Sequence, residues 1–228
     1  MLMESLVRIV PEDKPRERII EPPFRMAVIG GSGSGKSFLI ARMLISEKPH
    51  LYKSFRKVFW VNPTLGATSA NDPYSIIDVP EEQIYRDMND DVLKEIMMKL
   101  PKGKDGKLRP SLLILDDVGE LAKNNEFAKK LFIRIRHSNM SVILSVQKNS
   151  MIPPSIRQSL THICLMTASN QKQTDDIIEE YFPVSGREAR AIVNKAFEAD
   201  DNDERPFLFL DMIKGRIFKR LPTLELAC

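Results

Sequence analysis

Cysteine is nearly missing from this chain: its 228 residues hold two, Cys164 inside an apolar stretch and Cys228 at the last position. That excludes a disulfide framework, and neither thiol has the neighbours of a metal cluster or a catalytic nucleophile, which fits a reducing compartment. No apolar run reaches the ~18 residues needed to cross a bilayer, so no obligate membrane insertion is expected. The N-terminal segment, with Glu4 and Arg8, lacks a signal-peptide core. Charge of one sign is scarce too. Thirty-four Lys and Arg stand against 31 Asp and Glu, a net +3, so any grip on nucleic acid has to come from local patches. There are no internal repeats and no coiled-coil heptads. What is present, 43% apolar and 29% charged residues, is the composition of a soluble globular chain with one sizeable core.

Glycine is sparse as well, and its distribution is telling. Four of the ten glycines fall in Gly30-Gly31-Ser32-Gly33-Ser34-Gly35-Lys36-Ser37. This is GxxxxGK[ST], the loop that cradles nucleoside triphosphates. Its backbone N–H groups turn toward the phosphates, Lys36 adds a point charge and the Ser37 hydroxyl is a ligand for Mg²⁺. The flanks agree: 24–29 reads as a short buried strand and 37–47 as a helix. A strand, a glycine turn and a helix N-terminus together make an anion site. ATP with Mg²⁺ is the expected ligand.

Residues 1–23, with Pro11, Pro15, Pro22 and Pro23, read as an arm leading into a single domain over 24–228. Further buried strands are expected at 57–62, 111–117, 141–147 and 161–166, with helices over 81–100 and 124–137 and two more within 170–199. The segment 101–110 is an exposed basic loop by its Gly and Pro content, and 207–212 with 216–221 flank a turn and predict a hairpin. Strands alternating with helices imply a mostly parallel sheet.

In such a sheet a ligand sits at the carboxyl ends of the strands. Besides the glycine loop, two strands there end in suitable groups. Asp116 is placed to hold Mg²⁺, and Asp117 to take a proton from an attacking water, with Glu120 as the rival base. Gln147 follows six residues, 141–146, that suit a buried strand, and a polar amide there needs a partner, which a γ-phosphate or its attacking water supplies. Arg136 can be read as a cation near a helix C-terminus or as an arginine finger reaching a neighbouring subunit; Arg134 and Arg157 are weaker candidates for the second role, and His137 reads as structural. Basic residues also group at Lys102, Lys104, Lys107 and Arg109, at Lys129 and Lys130, and on the C-terminal hairpin.

Taken in order, GGSGSGKS at 30–37, LLILDD at 112–117, RHSNMSVILSVQ at 136–147 and IPPSIRQSLTHICL at 152–165 resemble the FtsK–HerA superfamily of DNA-pumping ATPases. More narrowly, they resemble the poxvirus-type genome-packaging ATPases of double-stranded DNA viruses. The resemblance spans roughly residues 24–168. It implies an α/β P-loop NTPase with a RecA-like (ASCE) three-layer sandwich, the strand ending in Gln147 lying between those ending in the glycine loop and in Asp116. It also implies ATP-driven translocation of double-stranded DNA into a preformed capsid by a homo-oligomeric ring, a hexamer or pentamer, docked on capsid vertex proteins. The working place would be the virion or the host-cell site of virus assembly. In that family an arginine ahead of the fourth strand acts in trans and a glutamine ends the strand; Arg136 and Gln147 hold the matching positions. Thr161-His162 resembles a signature of the viral group. Many superfamily members place a glutamate where this chain has Asp117. A P-loop small-molecule kinase and a non-motor nucleotide switch binding a capsid partner are the alternatives.

Overall fold

The computed structural model describes residues 20–45, 51, 54–64, 77, 79–118, 126, 129, 132, 135–166, 171–182, 184–197 and 206–219. Residues 1–19 of the expected arm lie outside them. Ile20, at the arm's end, is fully buried.

The apolar runs form strands as expected: β1 (Arg25–Ile29), β2 (Lys57–Val61), a two-residue β3 (Ile84–Tyr85), β4 (Ser111–Asp116), β5 (Met140–Val146), β6 (His162–Met166), β7 (Phe207–Asp211) and β8 (Arg216–Lys219). Helices are α1 (Lys36–Ile45), α2 (Asp90–Met98), a single turn α3 (Pro154–Arg157), α4 (Gln171–Tyr181) and α5 (Gly186–Phe197). The strands make one eight-stranded sheet in the order β3-β2-β4-β5-β1-β6-β7-β8. Six strands run parallel from β3 to β6, and β7 and β8 add antiparallel as the predicted hairpin. β5 lies between β4 and β1, the arrangement expected from sequence.

Alternation along each strand divides the core into two layers. Met26 and Val28 of β1, Leu112 and Ile114 of β4 and Ile143 of β5 face one side, where α1 covers them with Leu39, Ile40, Met43 and Leu44. Ala27 and Ile29, Leu113 and Leu115, and Val142, Leu144 and Val146 face the other, under α2, α4 and α5. Helices on both faces of a central sheet make the three-layer sandwich.

Two expected helices are corrected. The segment 81–100 is not one helix. Glu81–Gln83 is a 3-10 turn, Ile84 and Tyr85 pair with Trp60 and Val61 at the sheet edge, and α2 starts only after Asn89. Asn89 stops the helix from running further back: its side chain accepts from the N–H groups of Asp91 and Val92, the geometry of an N-cap. The helix expected over 124–137 does not reach its end. Glu126, Lys129 and Phe132 are helical, but Ile135–Ser138 tightens into a 3-10 turn before β5.

Candidate functional site

The glycine loop leaves β1 at Gly30, whose N–H donates to the carbonyl of Val146 at the end of β5 (3.1 Å). A Cβ at Gly30 would lie 2.5 Å from the Cβ of Met166, the last residue of β6, so the loop's first residue is glycine for want of space. The loop then turns into α1, where Leu39 N–H donates to Gly35 O (2.9 Å). Lys36 bends back over the loop and donates to the carbonyls of Gly30 (2.8 Å) and Gly31 (2.9 Å). Burial pushes its ammonium below the usual lysine pKa, while the charges of Asp116 and Asp117 pull it back up. The Ser34 hydroxyl, inside the loop, is buried and has no hydrogen-bond partner among the described residues, an orphan donor that an anion would satisfy.

β4 and β5 bring the carboxylates and the amide to the same rim. Asp116 ends β4 opposite Ser145 and is almost fully buried. Its Oδ2 lies 3.4 Å from the Ser37 hydroxyl and 3.4 Å from the Asn62 amide nitrogen. Asp117 has left the strand: its φ is +56°, a left-handed conformation that aspartate tolerates better than most residues. That turn sends its exposed carboxylate to Gln147, whose Nε2 donates to Oδ1 (3.3 Å). The two adjacent aspartates therefore face different partners, one the α1 serine and the other the β5 glutamine.

Ser37 and Asp116 suit Mg²⁺, a hard cation that takes a few protein oxygens and fills its remaining positions with phosphate oxygens and water. Among the described residues there is no three-residue His, Cys, Asp or Glu cluster that could cage a metal without such help.

Three contributors escaped the sequence reading. Asn62 follows β2, is buried, and holds Asp116 through its amide nitrogen. Its own Oδ1 accepts from Thr64 N–H (2.9 Å) and Thr64 Oγ1 (2.7 Å), which fixes the orientation of the amide. A polar residue closing a buried strand is the signal that singled out Gln147, and it applies equally to Asn62. Gln173 on α4 donates to the Gln147 carbonyl (2.9 Å) and pins the end of β5.

Other expected site residues are elsewhere. Glu120 and Arg134 lie outside the described residues. Arg136 is in the 3-10 turn ahead of β5, and its side chain is likewise outside them. Arg157 is paired with Glu180 within its own chain (2.9 Å). His137 is exposed on the 3-10 turn rather than part of the core. His162 is buried, stacked on Phe209 and bonded through Nδ1 to the Thr161 hydroxyl (2.9 Å); Thr161 also joins Arg25. The Thr161-His162 pair thus fastens the N-terminal ends of β1 and β6, on the rim opposite the glycine loop. Cys164 is buried, which pushes its thiol pKa up and leaves it unreactive. No helix among the described residues is long and apolar enough to cross a membrane.

Comparison with known proteins meets this geometry. The DNA packaging protein OPG160 of variola virus is 30% identical over 158 residues, covering 68% of this chain and 57% of that protein. The chain thus spans a little over half the length of that relative. Uncharacterized protein 075L of invertebrate iridescent virus 6 is 26% identical over 191 residues, 82% of this chain and 70% of that one. Among solved structures, the genome packaging NTPase B204 of Sulfolobus turreted icosahedral virus 2, in complex with AMP, superposes with a TM-score of 0.59 at 17% identity. It covers 90% of this chain and all of B204, so the fold is that of a P-loop NTPase. The family model for the poxvirus A32 protein matches residues 13–205, and the chain belongs to that family.

Proposed function

We propose that this chain is the ATP-hydrolysing core of a motor that drives double-stranded DNA into a viral capsid. The observation that carries the reading is the approach of Asp116 to Ser37, 3.4 Å apart at the C-terminal rim of the sheet and beside the glycine loop. A carboxylate and a hydroxyl from two separate elements meet there, as a magnesium-triphosphate site requires. Support for a nucleotide comes from B204, solved with AMP and with ATP-gammaS, and for DNA from the name of the variola relative.

In this reading the loop amides and Lys36 bind the phosphates. Ser37 and Asp116 would hold Mg²⁺, which when bound would neutralise phosphate charge. Gln147 orients the attacking water and Asp117 takes its proton; Glu120 remains the rival base. A bond forms between the water oxygen and the γ-phosphorus, the bond from that phosphorus to the bridging oxygen breaks, and ADP and phosphate leave. Arg136 precedes β5, and the seven residues Met140–Val146 extend about 20 Å toward Gln147. It is therefore assigned to the site of an adjacent subunit in a ring, a hexamer or pentamer, docked at capsid vertex proteins in the virion or its assembly site. Residues 1–23 are assigned to an arm and 24–228 to the motor domain.

The test is steady-state ATP hydrolysis with and without linear duplex DNA, with Lys36→Ala as the blank. A DNA-stimulated rate, lost in the blank, is expected. Hydrolysis indifferent to DNA would favour a nucleotide switch, and phosphate transfer to a small acceptor a kinase; either overturns the motor.

A further inference from the structure

The rim of the sheet opposite the glycine loop carries a second charged feature. The expected basic loop at 101–110 is an ordered hairpin. Lys102 bridges Leu108, Gly103 N–H donates to Lys107 O (2.8 Å), and Arg109 N–H donates to Pro101 O (2.8 Å). Asn139 Nδ2, just before β5, holds the Leu108 carbonyl (3.0 Å). Pairing of β2 with β4 brings Arg56 beside it, its N–H donating to Pro110 O (2.8 Å). Between the two segments lies an open groove of about 670 Å³, edged by Arg56, Lys102, Lys104 and Arg109 with Phe55 along it.

The charge on this hairpin is unbalanced. Arg109 pairs with Asp105 (3.0 Å) and lies across Gly103, where a Cβ would stand 2.0 Å from its guanidinium nitrogen. Arg56, Lys102, Lys104 and Lys107 are exposed and have no ion pair among the described residues. Four cations without an ion pair among the described residues and one oriented arginine therefore sit on a fixed backbone, against a whole-chain net charge of only +3. Clustering like charge on an ordered element costs stability through self-repulsion, and a ligand of repeating negative charge removes that cost. Phosphates spaced regularly along a duplex suit an open groove edged by cations.

We infer that this groove is a binding site for the phosphate backbone of duplex DNA, separated from the nucleotide site by the length of β4. The inference rests on the motor reading for the identity of the polyanion, and the following experiment separates the two. Affinity for a fluorescein-labelled mixed-sequence duplex is measured by anisotropy over a salt series. The proteins are the parent chain, a Lys102→Gln/Lys104→Gln/Lys107→Gln triple and a control triple, Lys172→Gln/Lys195→Gln/Lys219→Gln, of exposed lysines elsewhere. Every phosphate that the protein no longer neutralises lowers the slope of log K against log salt by about 0.9. The hairpin triple should bind at least tenfold more weakly at low salt, with a slope shallower by about two to three. Its melting temperature should equal or exceed the parent's, since repulsion among the cations is relieved, its affinity for a fluorescent ATP analogue should match the parent's, and the control triple should bind the duplex like the parent. If the parent binds duplex and the hairpin triple binds it equally, or if both triples weaken by the same factor, the groove assignment is wrong while the motor reading stands. A parent that binds no duplex in any nucleotide state sinks both. Displacement of the duplex by polyglutamate at equal charge would give the groove to an acidic protein instead.

Discussion

Asn62→Asp puts the centre of the site under test. Asn62 and Asp116 are 4% and 5% exposed, with Nδ2 and Oδ2 3.4 Å apart. The substitution replaces the amide donor with a second carboxylate oxygen. With an effective dielectric constant of about 20, two unit charges at that separation repel by about 5 kcal/mol. Taking up a proton is cheaper: at pH 7, protonating a carboxyl of ordinary pKa near 4 costs about 4 kcal/mol, and this caps the penalty. The sign follows from linkage. The folded variant holds a proton that the unfolded chain releases, so its stability falls as pH rises, and between pH 7 and pH 5 about 2.7 kcal/mol of the penalty disappears. Asn62→Ala only removes hydrogen bonds and leaves Thr64 N–H and Asp116 short of a partner, a cost of about 1–3 kcal/mol with little pH dependence in that range. Urea unfolding of the parent and both variants at pH 5, 6 and 7 measures these quantities. Millimolar Mg²⁺ should restore stability to Asn62→Asp and do little for Asn62→Ala, because two carboxylates with Ser37 make a stronger oxygen site. If Asn62→Asp at pH 7 proves no less stable than Asn62→Ala, and is indifferent to pH, the two side chains are not held together and the account of Asp116 fails.

Lys36 has a lowered pKa because burial opposes its charge. Bound phosphates raise that pKa, so binding takes up a proton, and affinity for a fluorescent ATP analogue should decline as pH is raised through the alkaline range in the parent but not in Lys36→Gln. Asp117→Asn preserves a side chain that accepts the left-handed backbone at φ +56°, so nucleotide affinity and thermal stability should hold while hydrolysis falls at least a hundredfold, the usual worth of a general base. Arg136→Ala and Asp117→Asn subunits, each inactive alone, should recover hydrolysis when mixed, because some interfaces then join an intact base to an intact arginine. Inactive mixtures in which rings demonstrably form would refute the shared site.

The fold was legible because burial on both faces leaves a mark that survives without neighbours. Ser111–Asp116 and Met140–Val146 are buried at every position, and an apolar core, LLIL in the first and VIL between two small serines in the second, closed by larger polar residues, reads as a central parallel strand. The segment 81–100 misled because Ile84 and Met88 are four apart and Leu93, Ile96 and Leu100 three and four apart, spacings a helix also uses. Pairing of Ile84 with Trp60 on β2, 24 residues earlier, decided its conformation, and local period cannot anticipate an edge contact of that kind. The cap was in plain view, however: Asn89 ahead of Asp90 and Asp91 is a helix start by composition alone.

For the site, legibility followed the same division between local and non-local causes. The glycine loop carries its chemistry in contiguous residues. Asp116 and Gln147 could be found because each is the first polar group after a buried run, where an unmet hydrogen-bonding need has to be answered at the rim. Asn62 satisfies that rule as well, but recognising its role needed the β2–β4 pairing that sets it against Asp116. The left-handed turn at Asp117 has no local signature, since neither glycine nor a turn dipeptide announces it. It arises where the strand ends, with Asp117 N–H still bonded to the Ser145 carbonyl (3.3 Å) while the chain has to leave the sheet. That the two aspartates face apart is legible in the dipeptide, because neighbouring side chains at a strand end point to opposite sides; that Asp117 meets Gln147 is a property of β4 lying beside β5.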